Sequence, residues 1–245
     1  MSGSSRYLRA CIDALQALSI SQEDAIARSA DVITNCIQAG GMVYSFGTGH
    51  SHELAEEIAY RAGGLVPVSP ILEPSLTGHT EVSKSAVLEQ LEGFAAAILD
   101  YYRVSRHDVL IIVSNSGRNA APVETAIEAQ RRGIPVIAVT SLAYSHQIPS
   151  RQASGKKLYE VADIVLDNGS PFGDAAIELE GLSQSVGPLS TVTGAALLHA
   201  VMVGVAERLI GKLTPVPVFR SGNLDDAAED NDKLMNLYQG RVHIW

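Results

Sequence analysis

Residues 42–51 have the sequence Met42-Val43-Tyr44-Ser45-Phe46-Gly47-Thr48-Gly49-His50-Ser51, an apolar run that ends in a glycine-containing turn. The apolar part has strand character, and the residues after the turn have helical spacing. A second stretch repeats this design, because Val109-Leu110-Ile111-Ile112-Val113 is followed by Ser114-Asn115-Ser116-Gly117 and another helix-like segment. In a parallel α/β sheet both turns open at the carboxyl edge, where ligands bind.

The two turns have the composition of a phosphate site. Glycines let the backbone approach an anion closely, and hydroxyl groups and helix N-termini donate hydrogen bonds to it. We therefore predict that a small phosphorylated ligand binds to the following residues: Gly47, Thr48, Gly49, His50, Ser51, Ser114, Asn115, Ser116, Gly117, Arg118 and Asn119.

Helix capping is the alternative interpretation of the polar residues of the second turn, since serine and asparagine often begin helices for that reason alone. Two hydroxyl groups and free amides around Gly117 exceed what one cap requires. Arg118 has two open interpretations, because its guanidinium group can clamp a phosphate with two N–H groups or can lie in solvent.

Strands and helices are predicted to alternate along the middle of the chain. Apolar, β-branched strands in this arrangement indicate a parallel sheet that is covered on both faces. The fold class is therefore α/β, with a doubly wound, five-stranded parallel sheet and helical additions at both ends. The strands are predicted at 42–46, 65–69, 109–113, 135–139 and 163–167, and the helices at 51–62, 84–102, 120–132 and 189–210.

We find no internal repeat and no clear boundary, so residues 1–245 are interpreted as one domain. Its parts are a helical segment at about 6–39, an α/β core at about 42–211 and an acidic tail at about 212–245. The tail is expected to be a solvated surface segment. Apolar residues occupy much of the circumference of segment 6–39, which favours a subunit interface and thus a homo-oligomer.

Composition limits the classes of partner. The chain has 245 residues, of which 46% are hydrophobic, and its formal net charge is -9. A negative charge opposes binding to nucleic acid and to anionic lipid. The first residues lack the apolar core of a signal peptide, and the apolar run 195–210 is interpreted as too short and too polar to span a bilayer. Together with only two cysteines, these features predict a soluble cytoplasmic protein.

The two turns and the late Gly187-Pro188-Leu189-Ser190-Thr191 segment resemble the sugar isomerase (SIS) family over about residues 6–211. The resemblance implies phosphosugar binding by dimers or tetramers whose sites are shared between subunits. Residues 47–51 are similar to the turn of phosphoheptose isomerases, and the overall shape also resembles that of N-acetylmuramic acid 6-phosphate etherases. Asn119 differs from the serine or threonine that is usual in the family.

The same resemblance implies acid/base roles for Glu57, in Leu54-Ala55-Glu56-Glu57-Ile58, and for His199, in Leu198-His199-Ala200-Val201. Each has a simpler alternative. Glu57 precedes Arg61 by four residues, which is the ordinary spacing of a surface ion pair, and His199 lies among apolar residues as a core histidine would. His79 is a further catalytic candidate, because it lies in an aperiodic loop after the second strand.

Neither a metal nor a cofactor is predicted. His50 and His52 are two residues apart and cannot share one face of a helix, which argues against a two-histidine metal site there. The Gly47-x-Gly49 turn lacks the third glycine of a dinucleotide site, and no acidic residue ends the second strand.

These interpretations predict an enzyme that acts on a sugar 6-phosphate, with an amino-sugar phosphate as the expected substrate. A carboxylate or an imidazole removes the proton at C2, and the resulting intermediate leads to isomerisation or to β-elimination. The alternative is a phosphosugar sensor without chemistry that regulates a partner protein. The sensor needs the phosphate turn but no acid/base group.

Overall fold

The computed structural model describes residues 1–79 and 81–245. Helices and strands alternate through most of the chain. The strands are β1 (Val43–Gly47), β2 (Val68–Ile71), β3 (Val109–Val113), β4 (Val136–Thr140), β5 (Ile164–Asp167), β6 (Ala175–Ile177) and β7 (Val186–Pro188). The helices are α1 (Gly3–Ser21), α2 (Glu23–Gln38), α3 (Ser51–Glu57), α4 (Pro74–Thr77), α5 (Val82–Leu88), α6 (Ala95–Tyr101), α7 (Ala120–Arg131), α8 (Leu142–Ser145), α9 (Leu158–Val161), α10 (Ser190–Leu209) and α11 (Ala228–Leu237).

Five strands form one parallel sheet in the order β2-β1-β3-β4-β5. The predicted fold class is therefore confirmed. The chain runs from β1 outward to β2 and then returns to place β3 on the other side of β1, so the direction of winding reverses between β1 and β3. Gly47 and Val113 are paired at this point. In open α/β sheets ligands bind in the crevice at such a reversal.

The sheet is apolar on both faces because each face has its own core. Side chains of β3 alternate between them: Ile111 packs with α2, α3 and α10, whereas Leu110 and Ile112 pack with α6, α7 and α9. This double burial explains why the strands appear in the sequence as continuous apolar runs rather than as alternating ones.

Several predicted boundaries are wrong for identifiable reasons. The helical segment 6–39 is divided at Gln22 into α1 and α2. The helix expected at 84–102 is interrupted between α5 and α6, where Gly93 has a φ of 102°. The helix expected at 51–62 ends at Glu57, and Tyr60 beyond it has a left-handed φ of 42°. Sequence periodicity did not detect these local breaks.

The acidic residues of the tail are exposed, as its composition predicted, but the tail also packs onto the rest of the chain. It contains α11, whose Leu234 packs with Phe219 and Val66 in a small buried cluster. The Val66 amide donates to the Pro217 carbonyl at 2.9 Å, and Leu65 forms an antiparallel bridge with Val218. Leu65 and Val66 therefore pair with the tail, and β2 begins only at Val68 rather than at 65.

The apolar run 195–210 belongs to a longer helix, α10, so the expectation that it is too short and too polar to span a bilayer is wrong. The helix is long and apolar enough to cross a membrane by length and composition, with a mean hydropathy of 1.4. Its Leu197, Leu198 and Val201 side chains are nevertheless buried against α2 and the sheet. On this side of α10 the apolar residues therefore belong to the protein core.

A buried carboxylate joins the starts of β1 and β3. Asp108 is 4% exposed; its Oδ1 accepts from the Met42 amide, and its Oδ2 accepts from the amide and the hydroxyl of Ser105, each at 2.8 Å. These bonds fix the two strands on which the neighbouring turns depend.

We predict that Asp108→Ala lowers the free energy of unfolding by about 1–3 kcal/mol, because it leaves the buried Met42 amide without an acceptor. Chemical denaturation followed by circular dichroism measures the change. Asp13→Ala, on the exposed side of α1, is the control and should leave the midpoint unchanged. Equal stability of the Asp108 variant and the wild type would show that the carboxylate does not hold the strands.

Candidate functional site

The first turn follows β1 and leads directly into α3. A Cβ on Gly47 would lie 2.4 Å from the Ser51 carbonyl oxygen, so this position requires glycine. Thr48 is buried, and its hydroxyl donates to Glu89 Oε2 at 2.6 Å. The Gly49 amide donates to the Leu76 carbonyl at 2.9 Å, which connects the turn to the segment after β2.

The second turn follows β3 and is fixed by its neighbours in the sheet. Asn115 Oδ1 accepts from Asn168 Nδ2 and from the Ser170 hydroxyl, both at 2.9 Å. Gly117 has a φ of 60°, and a Cβ there would lie 2.8 Å from Ser145 Oγ. The Ser114 hydroxyl accepts from the Gly117 amide at 3.3 Å, so this serine stabilises the turn itself.

Several donors of the second turn remain available. In the part of the chain that the structure describes, no protein acceptor pairs with the Ser116 hydroxyl or with the Ser116 and Asn119 amides. Arg118 Nε is buried and likewise has no partner among residues 1–79 and 81–245. Buried donors without acceptors are costly, and an anion bound at the start of α7 would satisfy them.

A cavity of about 130 Å³ lies between the turns and the start of α10. Three predicted residues line it, namely His50, Ser51 and Asn115. The cavity also includes residues that we did not predict as site residues: Asn168, Asp174, Ser190 and Thr191.

Asp174 organises this part of the cavity. It has a left-handed φ of 70°; its Oδ2 accepts from the Ser190 hydroxyl at 2.6 Å, and its Oδ1 accepts from the Ser190 amide at 2.8 Å. Strained non-glycine backbone of this kind often occurs at functional sites. The sequence carried no signal for Asp174, whereas Ser190 and Thr191 belong to the segment that carried the family resemblance.

Glu57 and His199 meet although 142 residues separate them in the sequence. His199 Nε2 lies 3.2 Å from Glu57 Oε1, and Arg61 contacts both side chains. The ion pair expected from the spacing of Glu57 and Arg61 is therefore present, and His199 is half-buried beside it. Burial, followed by the charge of Arg61, lowers the pKa of His199 below its usual 6.5, which favours the neutral imidazole.

This acid/base cluster does not line the cavity. His199 follows Thr191 by eight residues, which places it about 12 Å farther along α10. His79 belongs to neither group, because its Nε2 lies 2.6 Å from His52 Nε2 beside the first turn. The three predicted catalytic residues thus form two separate clusters within one chain.

Glu89 is a residue that sequence reasoning missed. Its carboxylate accepts from Thr48 in the first turn, and its backbone carbonyl accepts from the Ala121 amide at the start of α7, at 2.9 Å. It is half-buried between the two turns. In the sequence Glu89 lies within the helix predicted at 84–102 and looks like an ordinary acidic residue of its surface, because the break after α5 was not predicted.

A family model described as the SIS domain matches residues 6–141, which is more than half of the chain. The chain belongs to the SIS domain family. It is 45% identical over 217 residues to a UPF0309 protein of Halalkalibacterium halodurans, and the match covers 89% of this chain and 90% of that relative.

Solved structures share the fold at low sequence identity. Phosphoheptose isomerase GmhA from Neisseria gonorrhoeae has a TM-score of 0.54 at 18% identity. The match covers 83% of this chain and 97% of the GmhA chain. The Vibrio vulnificus NanR protein, complexed with ManNAc-6P, has a TM-score of 0.53 at 17% identity, over 85% and 63% respectively.

We predict that Arg61→Gln raises the pKa of His199, because it removes a positive charge that opposes protonation of the imidazole. An NMR titration of the His199 ring measures this pKa, which should lie below 6.5 in the wild type. Arg151→Gln, whose guanidinium group contacts Asn119 instead, is the control. A His199 pKa that stays the same in Arg61→Gln would contradict the electrostatic role of Arg61.

Proposed function

We propose that this SIS chain is an enzyme that binds a sugar 6-phosphate and moves the proton at C2. The observation that carries the proposal is the meeting of two donor-rich turns at the reversal of the sheet, with free donors at Ser116, Arg118 and Asn119 within the described residues. The SIS family membership supports a phosphosugar ligand. The NanR structure, which has the same fold, is complexed with ManNAc-6P, and this ligand is the precedent for proposing an amino-sugar phosphate.

Local donors must hold the phosphate, because the net charge of the chain is -9 and repels anions at long range. In this proposal the amides and hydroxyl of the second turn bind the phosphate at the start of α7, and Arg118 adds a charged contact. The first turn and the cavity residues His50, Ser51 and Asn115 then face the sugar hydroxyls and the carbonyl group.

Two sets of groups are candidates for the proton transfer. Glu89 is one candidate, because it contacts the first turn through Thr48 and the start of α7 through Ala121. Glu57 and His199 form the second set, in which the lowered pKa of His199 provides a neutral base. Isomerisation requires transfer of a proton between carbons and another between oxygens, so two acid/base groups have distinct tasks.

The intermediate has two possible fates. Removal of the C2 proton next to a carbonyl gives an enediol, or an enol that carries the C2 substituent. Return of the proton at C1 completes an isomerisation, whereas expulsion of the group at C3 completes a β-elimination. Both reactions share the same first step, and positioned acid/base groups accelerate such a step about 10²–10⁴-fold.

Ser116→Ala should weaken binding of a sugar 6-phosphate about 10- to 100-fold, since it removes a hydrogen bond to a charged group. Isothermal titration with glucosamine 6-phosphate, N-acetylmannosamine 6-phosphate and glucose 6-phosphate measures the affinity. Ser83→Ala, on the exposed face of α5, is the matched control. Unchanged affinity of the Ser116 variant would place the phosphate elsewhere.

Exchange of the C2 proton with deuterated water distinguishes an enzyme from a binding protein. We expect the wild type to incorporate deuterium into one member of a phosphosugar panel, as read by mass spectrometry, together with isomerisation or loss of water. Glu89→Gln, Glu57→Gln and His199→Gln should each lower the exchange rate at least about 100-fold while substrate still binds. Glu53→Gln, an exposed carboxylate of α3, is the control.

The sensor is the second candidate function, and the fold similarity to NanR with its bound ManNAc-6P is the observation that favours it. A sensor would bind the phosphosugar through Ser116 without any exchange at C2. Tight binding with no deuterium incorporation across the panel would therefore reject the enzyme and retain the sensor.

We further propose that the chain forms a homo-oligomer with shared sites. Val192 and Val203 are exposed on α10 at 37% and 69%, on the same helix as half-buried His199. Exposed large apolar side chains on a helix that also packs into the core favour contact with another subunit. In this proposal the partner subunit covers Val192 and Val203 and supplies the phosphate site that acts with Glu57 and His199.

Light scattering should show that the wild type is a dimer or a tetramer. Val203→Asp should shift the oligomeric state toward monomers, because it places a charge in the contact between subunits. Subunit mixing tests the shared site. At a subsaturating substrate concentration the Ser116→Ala and His199→Gln proteins should each have low activity alone, and their mixture should regain activity if one site uses both chains. Recovery in the mixture would not occur if each chain held a complete site. A wild type that remains monomeric would contradict the proposal.

A further inference from the structure

Two imidazole rings and a carboxylate converge beside the first turn. His52 and Glu56 are one helical turn apart on α3, and His79 approaches from the loop that follows β2 and α4. One ligand atom from each of the three side chains lies within 4.8 Å of the others. The histidine pair considered in the sequence, His50 with His52, is not the one that forms.

The buried histidine is oriented as a metal ligand. His52 is 4% exposed, and its Nδ1 contacts the Gly49 carbonyl oxygen, which can only accept a hydrogen bond. The ring proton is therefore on Nδ1, and the lone pair of Nε2 points away from the turn. Metal-bound histidines commonly use their second nitrogen in this way, which fixes the tautomer and the ring direction.

The other two groups face that lone pair. His79 Nε2 lies 2.6 Å from His52 Nε2, with the two rings nearly perpendicular. Glu56 is exposed, and within the described ranges 1–79 and 81–245 its carboxylate forms no ion pair. His79 is exposed as well and can move by about 0.7 Å to the nitrogen–nitrogen separation that tetrahedral zinc requires.

We propose that His52, Glu56 and His79 bind a Zn²⁺ ion. Two imidazole nitrogens and one carboxylate oxygen form a donor set that suits zinc, with a fourth position left for water or a ligand oxygen. The ion connects α3 to the loop after α4, which the Gly49–Leu76 hydrogen bond already holds close. The site adjoins Ser51, which lines the cavity, but it does not depend on the proposed reaction.

Zinc titration of the chelator-treated, untagged protein tests the site without any sugar phosphate. We expect one Zn²⁺ per chain and a higher melting temperature in its presence, because the ion binds only the folded arrangement. His79→Ala and Glu56→Gln should weaken the affinity at least about 10- to 100-fold. Both side chains are exposed, so these variants should fold, and circular dichroism verifies this.

Glu53→Gln on the same helix and His146→Ala on α8's C-terminal side are the matched controls, and both should bind zinc as the wild type does. Replacement by Co²⁺ should give the strong visible absorption of a four-coordinate ion, and this absorption should be lost in His79→Ala. A sulfur-to-metal band would instead assign the ion to a cysteine and overturn the proposal. Absence of binding, or equal affinity in His79→Ala and wild type, would overturn it as well.

Discussion

The carboxyl edge of the sheet depends on the close approach of β1 to α3 at Gly47. A Cβ at this position would lie only 2.4 Å from the Ser51 carbonyl oxygen, which leaves no room for any side chain. Because the turn is this tight, α3 begins immediately, and His50, Ser51 and His52 project in different directions from a single bend. The turn thereby contributes Ser51 to the cavity, Thr48 to the contact with Glu89 and the adjoining His52 to the histidine pair.

The fold could be predicted from the sequence because the strands are buried on both faces and carry the signal in short, continuous apolar runs. The turns were found for a related reason, since glycine and hydroxyl residues directly after such runs are typical of anion-binding turns. The ends of the helices after α3 and α5 were not predicted. They depend on the backbone angles of single residues, Tyr60 and Gly93, and hydrophobic periodicity carries no information about these angles. The prediction for the tail was incomplete because it considered the exposed acidic residues and not the spaced apolar ones, Phe219 and Leu234.

The contacts between residues that are distant in the sequence could not be predicted at the site. Glu57 with His199, and His52 with His79, are brought together by packing between elements, and no local spacing encodes either pair. Asp174 and Glu89 act through their hydrogen bonds to Ser190 and Thr48, which are equally invisible along the chain. Only the family resemblance had singled out Glu57 and His199. It could not show that burial and the neighbouring charge of Arg61 lower the pKa of His199 and favour the neutral imidazole.

The pairing of the tail with residues 65–66 has a consequence for the chain as a whole. β2 is an outer strand of the sheet, and the Leu65–Val218 bridge occupies the backbone just before it, while the His243 amide donates to the Ser69 hydroxyl at 3.3 Å. Unpaired outer strands are templates for aggregation with other chains. The segment 214–245 therefore packs beside this outer strand, and a recombinant fusion at Trp245 would load the contacts that keep the segment there.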